Sequence, residues 1–371
     1  NGSFFESFRV LQFENNNTEL MIYSHVRCNL KQISTMKRIV LCCSVAFFFF
    51  NIAMAQDVVI EKTLQTIAIG SCNRQEAPQD YWSTIVKTKP DLWVWLGDNI
   101  YGDTNDMAVL KAKYDKQKSN SAYRSLLKQA PIVGIWDDHD FGKNDAGTEY
   151  PFKVASRDLM FNFLDVPKSS PAWKRGGGYQ SYTFGSGKKR VKILLLDARY
   201  FRGELKRVDG AYQKNMTGLV LGEAQWQWLE KELTNSDAAI HILASGIQFI
   251  ADEHPFEKWD NFPKERQRLL NLLVKTQPKN AFFLSGDRHI SEIASMDIPG
   301  YGQFYDFTSS GLTHSYESST ETNSHRMGRL VTEKSFGLIK IDWSGASPKV
   351  SLEMRGVKGE LLDAPEMLFD H

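Results

Sequence analysis

The chain has 371 residues, with 45 Lys and Arg against 44 Asp and Glu, so its formal net charge at pH 7 is +1. A balance this close to neutral lacks the electrostatic footprint of a dedicated nucleic-acid binder, so an anionic ligand would have to be held by local charges. The length suffices for one large α/β domain or two small ones with a substantial core.

A secretory signal peptide is predicted over residues 36–55. From Met36 a short basic start is followed by an apolar run and by Ala53-Met54-Ala55, the order of charged, apolar and small residues that signal peptides show. We therefore expect cleavage after Ala55 and a secreted or periplasmic protein that keeps no stable membrane span. The alternative is a retained anchor, although the apolar run is short for one. Residues 1–35 are interpreted as non-native upstream sequence or a disordered segment, and residues 56–371 as the functional domain.

The predicted elements after the signal peptide alternate between short apolar runs and helical stretches, which is typical of a layered α/β sandwich. In chain order they are strand Thr66–Ser71, helix Asp80–Thr88, strand Asp91–Leu96, helix Val109–Gln117, strand Ile132–Trp136, helix Ala155–Leu164, strand Lys189–Leu196, helix Gly222–Leu233, strand Ile240–Gly246, helix Pro263–Lys275, strands Asn280–Ser285 and Gln303–Thr308, and a hairpin of Phe336–Trp343 with Lys349–Met354.

A single cysteine, Cys72, remains after removal of the predicted signal peptide, because Cys28, Cys42 and Cys43 precede the cleavage site. A solitary thiol on an exported protein cannot form an internal disulfide, and this one lies where an apolar strand ends, which favours a chemical role. Taken alone, a buried packing cysteine is the competing interpretation.

Polar residues follow three further apolar strands at their carboxyl ends. Asp98 comes after Asp91–Leu96, and Asp287 and His289 follow Asn280–Ser285, while residues 137–140 read Asp-Asp-His-Asp. Each acid alone could cap the next helix. Because the carboxyl ends of strands in an α/β sheet are where sites are built, the recurrence instead predicts metal ligands at one rim.

These motifs together resemble the PhoD-like alkaline phosphatases, a branch of the calcineurin-like metallophosphoesterases. The resemblance covers about residues 67–310 and rests on Gly70-Ser71-Cys72, Leu96-Gly97-Asp98, Trp136-Asp137-Asp138-His139-Asp140, Leu195-Leu196-Asp197-Ala198-Arg199 and Leu284-Ser285-Gly286-Asp287-Arg288-His289. It implies an α/β fold, the calcineurin-like metallophosphatase sandwich of two mixed sheets flanked by helices. It also implies a metal-dependent phosphoric ester hydrolase acting on a small phosphate ester.

The resemblance implies a dinuclear metal site with Asp98 as the bridging carboxylate. The remaining ligands that it implies are Cys72, Asp138, Asp287, His289 and Tyr114. Two assignments stay open, since Tyr123 competes with Tyr114 and Asp137 competes with Asp138.

The donor atoms suit two different cations. A thiolate and a phenolate, with His289 and a shared carboxylate, favour Fe(III), whereas an all-oxygen site favours Ca²⁺, and both metals are those of the PhoD-like family. Zn²⁺ or Mn²⁺ is the alternative. The expected mechanism uses metal-bound hydroxide as the nucleophile, and His139 protonates or stabilises the leaving oxygen.

Three further residues are predicted to line the substrate pocket: Asn144, Arg199 and His314. For Arg199 a purely structural ion pair with Asp197 is an equal alternative, since a guanidinium pairs with a carboxylate as readily as with a phosphate. Two other functions remain open. One is a phosphodiesterase or phospholipase-C-like hydrolase on the same site, and the other is an inactive envelope binding protein with a metallophosphatase fold.

Overall fold

The computed structural model describes residues 58–369. The predicted signal peptide, the upstream segment 1–35 and three of the four cysteines lie outside the described residues. Within residues 58–369 no helix is both long enough and apolar enough to cross a membrane.

Sixteen strands and seven α-helices make up the regular structure of the described residues. The strands are β1 (Val58–Ile60), β2 (Thr66–Gly70), β3 (Leu92–Leu96), β4 (Ile132–Ile135), β5 (Gln180–Phe184), β6 (Val191–Leu195), β7 (Arg207–Val208), β8 (Ala211–Tyr212), β9 (Ile240–Ala244), β10 (Ala281–Ser285), β11 (Ser291–Ile298), β12 (Gly302–Ser309), β13 (Arg326–Val331), β14 (Ser335–Asp342), β15 (Lys349–Gly356) and β16 (Leu361–Asp363). The helices are α1 (Tyr81–Lys87), α2 (Met107–Ser119), α3 (Ser121–Gln129), α4 (Asp138–Phe141), α5 (Lys153–Phe163), α6 (Glu223–Thr234) and α7 (Pro263–Thr276).

Two mixed sheets form the sandwich. One has the strand order β1-β5-β6-β9-β10-β12-β11-β13 and the other β16-β15-β14-β2-β3-β4. Strands β2, β3 and β4 are parallel in the second sheet, as are β6, β9, β10 and β12 in the first. Each parallel set therefore delivers the loops after its strands to one edge of its sheet.

The core lies on both faces of the eight-stranded sheet. Along β9 the side chains of Ile242 and Ala244 join the cluster shared with the six-stranded sheet, whereas Leu243 joins a cluster with α6 and α7. Successive side chains of a strand point to opposite faces, so a strand buried on both sides reads as a continuous apolar run. This pattern is why the central strands were predictable from hydrophobicity.

The predicted sandwich of mixed sheets is confirmed. All seven predicted strands and the hairpin are present, with ends that shift by no more than two residues. The predictions omitted helices α3 and α4 and strands β1, β5, β7, β8, β11, β13 and β16. Most of these carry many polar residues, as Gln180–Phe184 and Ser291–Ile298 show, and their apolar signal is weak.

Candidate metal centre

The candidate site is built by loops that leave the carboxyl ends of four strands in two different sheets. Cys72 follows β2, Asp98 follows β3, Asp138 begins α4 after β4, and residues 287–289 follow β10. The two sheets are tied together beside it, since the hydroxyl of Ser71 donates to the carbonyl oxygen of Ser309 at 2.9 Å. Residues far apart in sequence thereby meet at one edge of the sandwich.

The backbone of these loops is held in an unusual conformation. The φ angles of Cys72, Asp98, Asp287 and His289 are 58°, 48°, 66° and 54°. Residues with a Cβ seldom adopt this left-handed region, and such strain collects at functional sites, where the surrounding structure enforces it. These four residues are all among the six predicted metal ligands, although other loop residues of the described part also adopt positive φ.

Glycine is required directly before two of the strained acids. At Gly97, with φ of 94°, a Cβ would overlap the side chain of Asp137, and at Gly286 it would overlap the carbonyl oxygen of Leu96. Only a residue without Cβ lets the loops after β3, β4 and β10 approach this closely. The Gly-Asp pairs in the sequence therefore reflect the packing of one carboxylate loop on another.

The first group of candidate ligands comprises Cys72, Asp98 and His289, whose donor atoms lie within 4.8 Å of one another. The sulfur of Cys72 lies 3.4 Å from Oδ2 of Asp98 and 3.0 Å from Oγ of Ser310. Burial, followed by the charge of Asp287, raises the pKa of the Cys72 thiol to about 12 against the opposing effect of a hydrogen bond with Ser310. A cation bound here would be needed to hold sulfur as the thiolate.

Tyr101 is the phenol that contacts this group. Its hydroxyl lies 2.9 Å from Nε2 of His289 and 3.4 Å from Oδ2 of Asp98. The hydroxyl of Tyr114 instead donates to Oδ2 of Asp140 at 3.3 Å. The hydroxyl of Tyr123 accepts from Nε1 of Trp95 at 3.0 Å. The structure thus brings neither predicted tyrosine to the thiol, and Tyr101 was missed by the sequence interpretation.

Tyr114 contacts the site indirectly, through Asp140. Its partner Asp140 accepts from the backbone N–H of Asp98 at 3.2 Å and from that of Asp137 at 2.7 Å. Burial raises the pKa of Asp140 to about 8. Asp140 therefore orders the backbone of both carboxylate loops, and Tyr114 orders Asp140.

The second group joins Asp98 to the acids of the next loops. Asp98, Asp138 and His139 form one set of donor atoms within 4.8 Å, and Asp137, Asp138 and Asp287 form another. The two acids that compete for one ligand position are therefore both present in the cluster.

These carboxylates repel one another and are shielded from water. Burial, then the charges of neighbours such as Cys72 and Asp138, raises the pKa of Asp98 well above its ordinary value. Burial also raises the pKa of Asp287 to about 7. Burial also favours a higher pKa for Asp138. The positive charges of Arg199 and His139 have a larger effect and lower its pKa to about 2. Buried acids at this density fit bound cations, which would compensate their charge.

Two buried polar atoms without a hydrogen-bond partner in the described chain also support cation binding by the cluster. Nδ1 of His289 and Oδ2 of Asp137 are buried and have no hydrogen-bond partner among the described residues. Buried polar atoms are normally paired, so unpaired ones in a cluster of metal-type donors fit a role as metal ligands. The thiol, imidazole and phenol lie on one side of the cluster and the carboxylates on the other, and both kinds of donor can hold a metal ion.

His139 lies at the edge of the cluster and is held by Asp103. Its Nδ1 is 2.8 Å from Oδ1 of Asp103, and its ring packs against that of Tyr101 at a tilt of 34°, with centroids 4.1 Å apart. Burial alone would lower the pKa of His139, but Asp103 and Asp138 raise it to about 9. The geometry suits a proton donor, and Asp103 is a positioning residue that the sequence interpretation did not assign.

Arg199 is buried rather than open to a pocket. Its Nε donates to Oδ1 of Asp137 at 2.6 Å and its Nη1 donates to Glu257 at 2.5 Å, with the guanidinium fully inaccessible. The carboxylate of Asp197 accepts from the backbone N–H of Arg199. The structure therefore favours a structural role for Arg199 over contact with phosphate. Its guanidinium pairs with Asp137 and Glu257, whereas the expected partner was Asp197.

The other two predicted pocket residues differ in position. Nε2 of His314 lies 3.1 Å from the hydroxyl of Tyr101, and its ring lies 4.1 Å from that of His289 between centroids, so it borders the cluster. Asn144 is exposed and donates to Asp145, whose backbone N–H donates to Oδ2 of Asp138 at 2.6 Å. Asn144 therefore contacts the site through Asp145.

A family model and a curated relative each match most of this chain. The model of the family PhoD, PhoD-like phosphatase, matches residues 67–346. Alkaline phosphatase D of Bacillus subtilis (strain 168) is 26% identical over 276 residues, covering 63% of this chain and 47% of that protein. The chain therefore spans about half the length of this curated relative.

Solved structures share the fold. A structure of PhoD has a TM-score of 0.63 at 17% identity, covering 85% of this chain and 73% of its own. GAP50, described as the anchor in the inner membrane complex of Plasmodium, has a TM-score of 0.56 at 13% identity, covering 84% and 90%. Purple acid phosphatase PPD1 from yellow lupin (Lupinus luteus) seeds has a TM-score of 0.55 at 12% identity, covering 82% and 53%. Since the family match covers most of the chain, the protein belongs to the PhoD-like phosphatase family.

Proposed function

We propose that this protein is a secreted, metal-dependent phosphoric ester hydrolase of the alkaline phosphatase D type. The observation that carries the proposal is the convergence of one thiol, two imidazoles and four carboxylates, most of them buried, on loops from two sheets. Membership of the PhoD-like family supports the same activity.

In this proposal Cys72, Asp98 and His289 would hold the first metal, and a tyrosine would complete its donor set. The 2.9 Å separation of Tyr101 from His289 supports Tyr101 for that position. Sulfur and phenol donors favour Fe(III) here. Asp98, Asp138 and Asp287 would hold the second metal, with Asp137 adjacent, and oxygen ligands favour Ca²⁺. Zn²⁺ or Mn²⁺ remains the alternative.

Bound cations would supply a water of lowered pKa and would neutralise charge on the phosphoryl oxygens. The residues of the chain prepare the site for that chemistry. Asp140 fixes the two carboxylate loops, and Arg199 holds Asp137 within the cluster. His139, oriented by Asp103, holds a proton beside the carboxylates and donates it to the leaving oxygen.

The fold alone does not distinguish an enzyme from a binding protein, because GAP50 is described as an anchor and shares it. The complete donor set favours catalysis, since each predicted site has chemically competent ligands. Phosphodiesterase activity would use the same metal chemistry, and it would require a pocket that admits the second ester group of the phosphate.

The test combines elemental analysis with hydrolysis of p-nitrophenyl phosphate and bis-p-nitrophenyl phosphate by the purified protein. We expect about two metal ions per chain, with faster monoester than diester hydrolysis, and the inverse ratio would assign a diesterase. Cys72→Ser should lower iron content and turnover together. Metal binding without hydrolysis of either ester would overturn the proposal.

Asp98→Asn and Asp306→Asn form a matched pair for the same assay. Asp306 is also buried, but it accepts from Ser285 Oγ and two backbone N–H groups outside the cluster. An amide can keep those bonds, with its oxygen accepting from the backbone and its NH₂ donating to Ser285. We expect Asp98→Asn to lose metal and Asp306→Asn to keep it.

A further inference from the structure

An exposed arginine lies beside the candidate metal centre and has no role in the chemistry described above. Arg74 follows the strained Cys72 by two residues, and its backbone N–H donates to Oγ1 of Thr313 at 2.8 Å. Its guanidinium carbon lies 4.8 Å from the ring centroid of Tyr101. The guanidinium therefore lies over the ring of Tyr101, whose hydroxyl contacts Asp98 and His289.

The charge of Arg74 is not balanced by a neighbouring acid in the described part of the chain. Within residues 58–369 Arg74 forms no ion pair, whereas nearby Lys116 pairs with Glu76. The surface beside Tyr101 therefore carries a positive charge that no carboxylate of the described residues neutralises.

The side chains between Arg74 and the metal ligands are aromatic. Tyr316 is 48% exposed, and its ring lies 4.6 Å from that of His289 between centroids. Its backbone N–H donates to the carbonyl oxygen of His289 at 2.9 Å, which fixes the loop after β12 to the loop after β10. A substrate whose phosphoryl group reached the cluster would extend its leaving group along Tyr101, His314 or Tyr316.

We infer that Arg74 binds a second anionic group on the leaving moiety of the substrate. The inference deepens the proposed phosphoesterase function and rests on it. An arginine offers parallel donors to a carboxylate or a phosphate, and the exposed guanidinium lies beyond the ligands that would hold the reacting phosphoryl group. The preferred substrates are thus phosphate monoesters whose leaving group carries a carboxylate or a further phosphate.

A pair of aromatic esters tests this inference. Phenyl phosphate and 4-carboxyphenyl phosphate differ by one carboxylate on the leaving group, and the ratio of their kcat/KM values reports its recognition. We expect the wild type to favour the carboxylated ester, and Arg74→Gln to lower that preference by about fivefold. Comparing ratios between variants removes the intrinsic reactivity of the two esters. Added NaCl should weaken the wild-type preference more than that of the variant.

The control variant is Arg124→Gln. Arg124 is an exposed arginine on α3 without an ion pair in the described part of the chain, and the ratio should stay at the wild-type value. If Arg74→Gln leaves the ratio unchanged while phenyl phosphate is hydrolysed, the inference is overturned and the proposed function stands. If Arg74→Gln lowers both kcat/KM values equally, Arg74 merely supports Tyr101, which also overturns it. Hydrolysis of neither ester would overturn the proposed function and the inference together.

Discussion

The hydroxyl oxygen of Tyr101 lies 2.9 Å from Nε2 of His289, although 188 residues separate them in the chain. Tyr101 belongs to the loop after β3 in the six-stranded sheet, and His289 to the loop after β10 in the eight-stranded sheet. The contact therefore joins both layers of the sandwich at the candidate metal centre. It also brings to the thiol of Cys72 a phenol other than the predicted Tyr114.

The two tyrosines can be separated by spectroscopy of the iron-loaded protein. A phenolate bound to Fe(III) gives a charge-transfer absorption in the visible range, so removal of the bound phenol should abolish that band. We expect Tyr101→Phe to lose the band and Tyr114→Phe to retain it, because the hydroxyl of Tyr114 contacts Asp140 instead. Loss of the band in Tyr114→Phe alone would restore the original ligand prediction.

His139→Ala should slow turnover while both metals stay bound. A positioned general acid contributes about 10²–10⁴-fold to rate, so a fall in kcat of that order is expected. Asp103→Asn should cause a smaller fall, since Asp103 acts through Nδ1 of His139. The readouts are kcat and metal content per chain. Should His139→Ala also release a metal ion, His139 is a ligand, as its place in one donor set allows.

Arg199→Met should strongly destabilise the protein. Its guanidinium is fully buried between Asp137 and Glu257, and removing one member of a buried ion pair costs about 3–5 kcal/mol because a buried charge is left unpaired. Lys111→Met is the control, since the exposed pair of Lys111 with Asp115 contributes at most about 1 kcal/mol. Urea denaturation at pH 7 measures both. Equal costs for the two variants would contradict the buried pairing.

Protonation of His241 should lower the free energy of unfolding in mild acid. Burial is the main cause that lowers its pKa from 6.5 to about 4, and Nε2 lies 2.8 Å from Oγ of Ser236. Because the folded pKa is the lower one, its stabilising effect is complete above pH 6.5 and is lost as pH falls towards 4. Between pH 7 and pH 5 the wild type should lose about 2 kcal/mol more than His241→Gln.

The measurement is the free energy of unfolding of both proteins at the two pH values. His241 lies at the start of β9, at the end of the strand away from the metal centre, so bound metals affect the two proteins alike. A parallel loss in wild type and variant would mean that His241 is not the group that titrates.

The strand ends were predictable because local sequence carries their signal. An apolar run such as Asp91–Leu96 predicts a buried strand, and Gly97 with Asp98 follows it at the edge where parallel strands deliver their loops. The same pattern recurs before Asp287. The candidate carboxylates and Cys72 could therefore be selected without knowing how the two sheets pack.

The identity of the phenol and the direction of Arg199 could not be selected in this way. Tyr101, Tyr114 and Tyr123 all follow Asp98 within about 25 residues. Only the packing of the loop after β3, of α2 and of α3 decides where the three hydroxyls lie. Arg199 follows β6 at the same edge, yet its charge is balanced by Glu257, which is 58 residues away. Spacing along the chain does not determine these distances.

By itself, the sequence determined the layered α/β class, the strands buried on both faces and the acids and thiol that end them, because hydrophobic periodicity and turn chemistry act over a few residues. The tertiary structure alone decided that Tyr101 meets His289, that Asp103 orients His139 and that Arg199 is sealed between two carboxylates. Those relationships depend on how two sheets align at one edge, and that alignment is set by packing of the whole core.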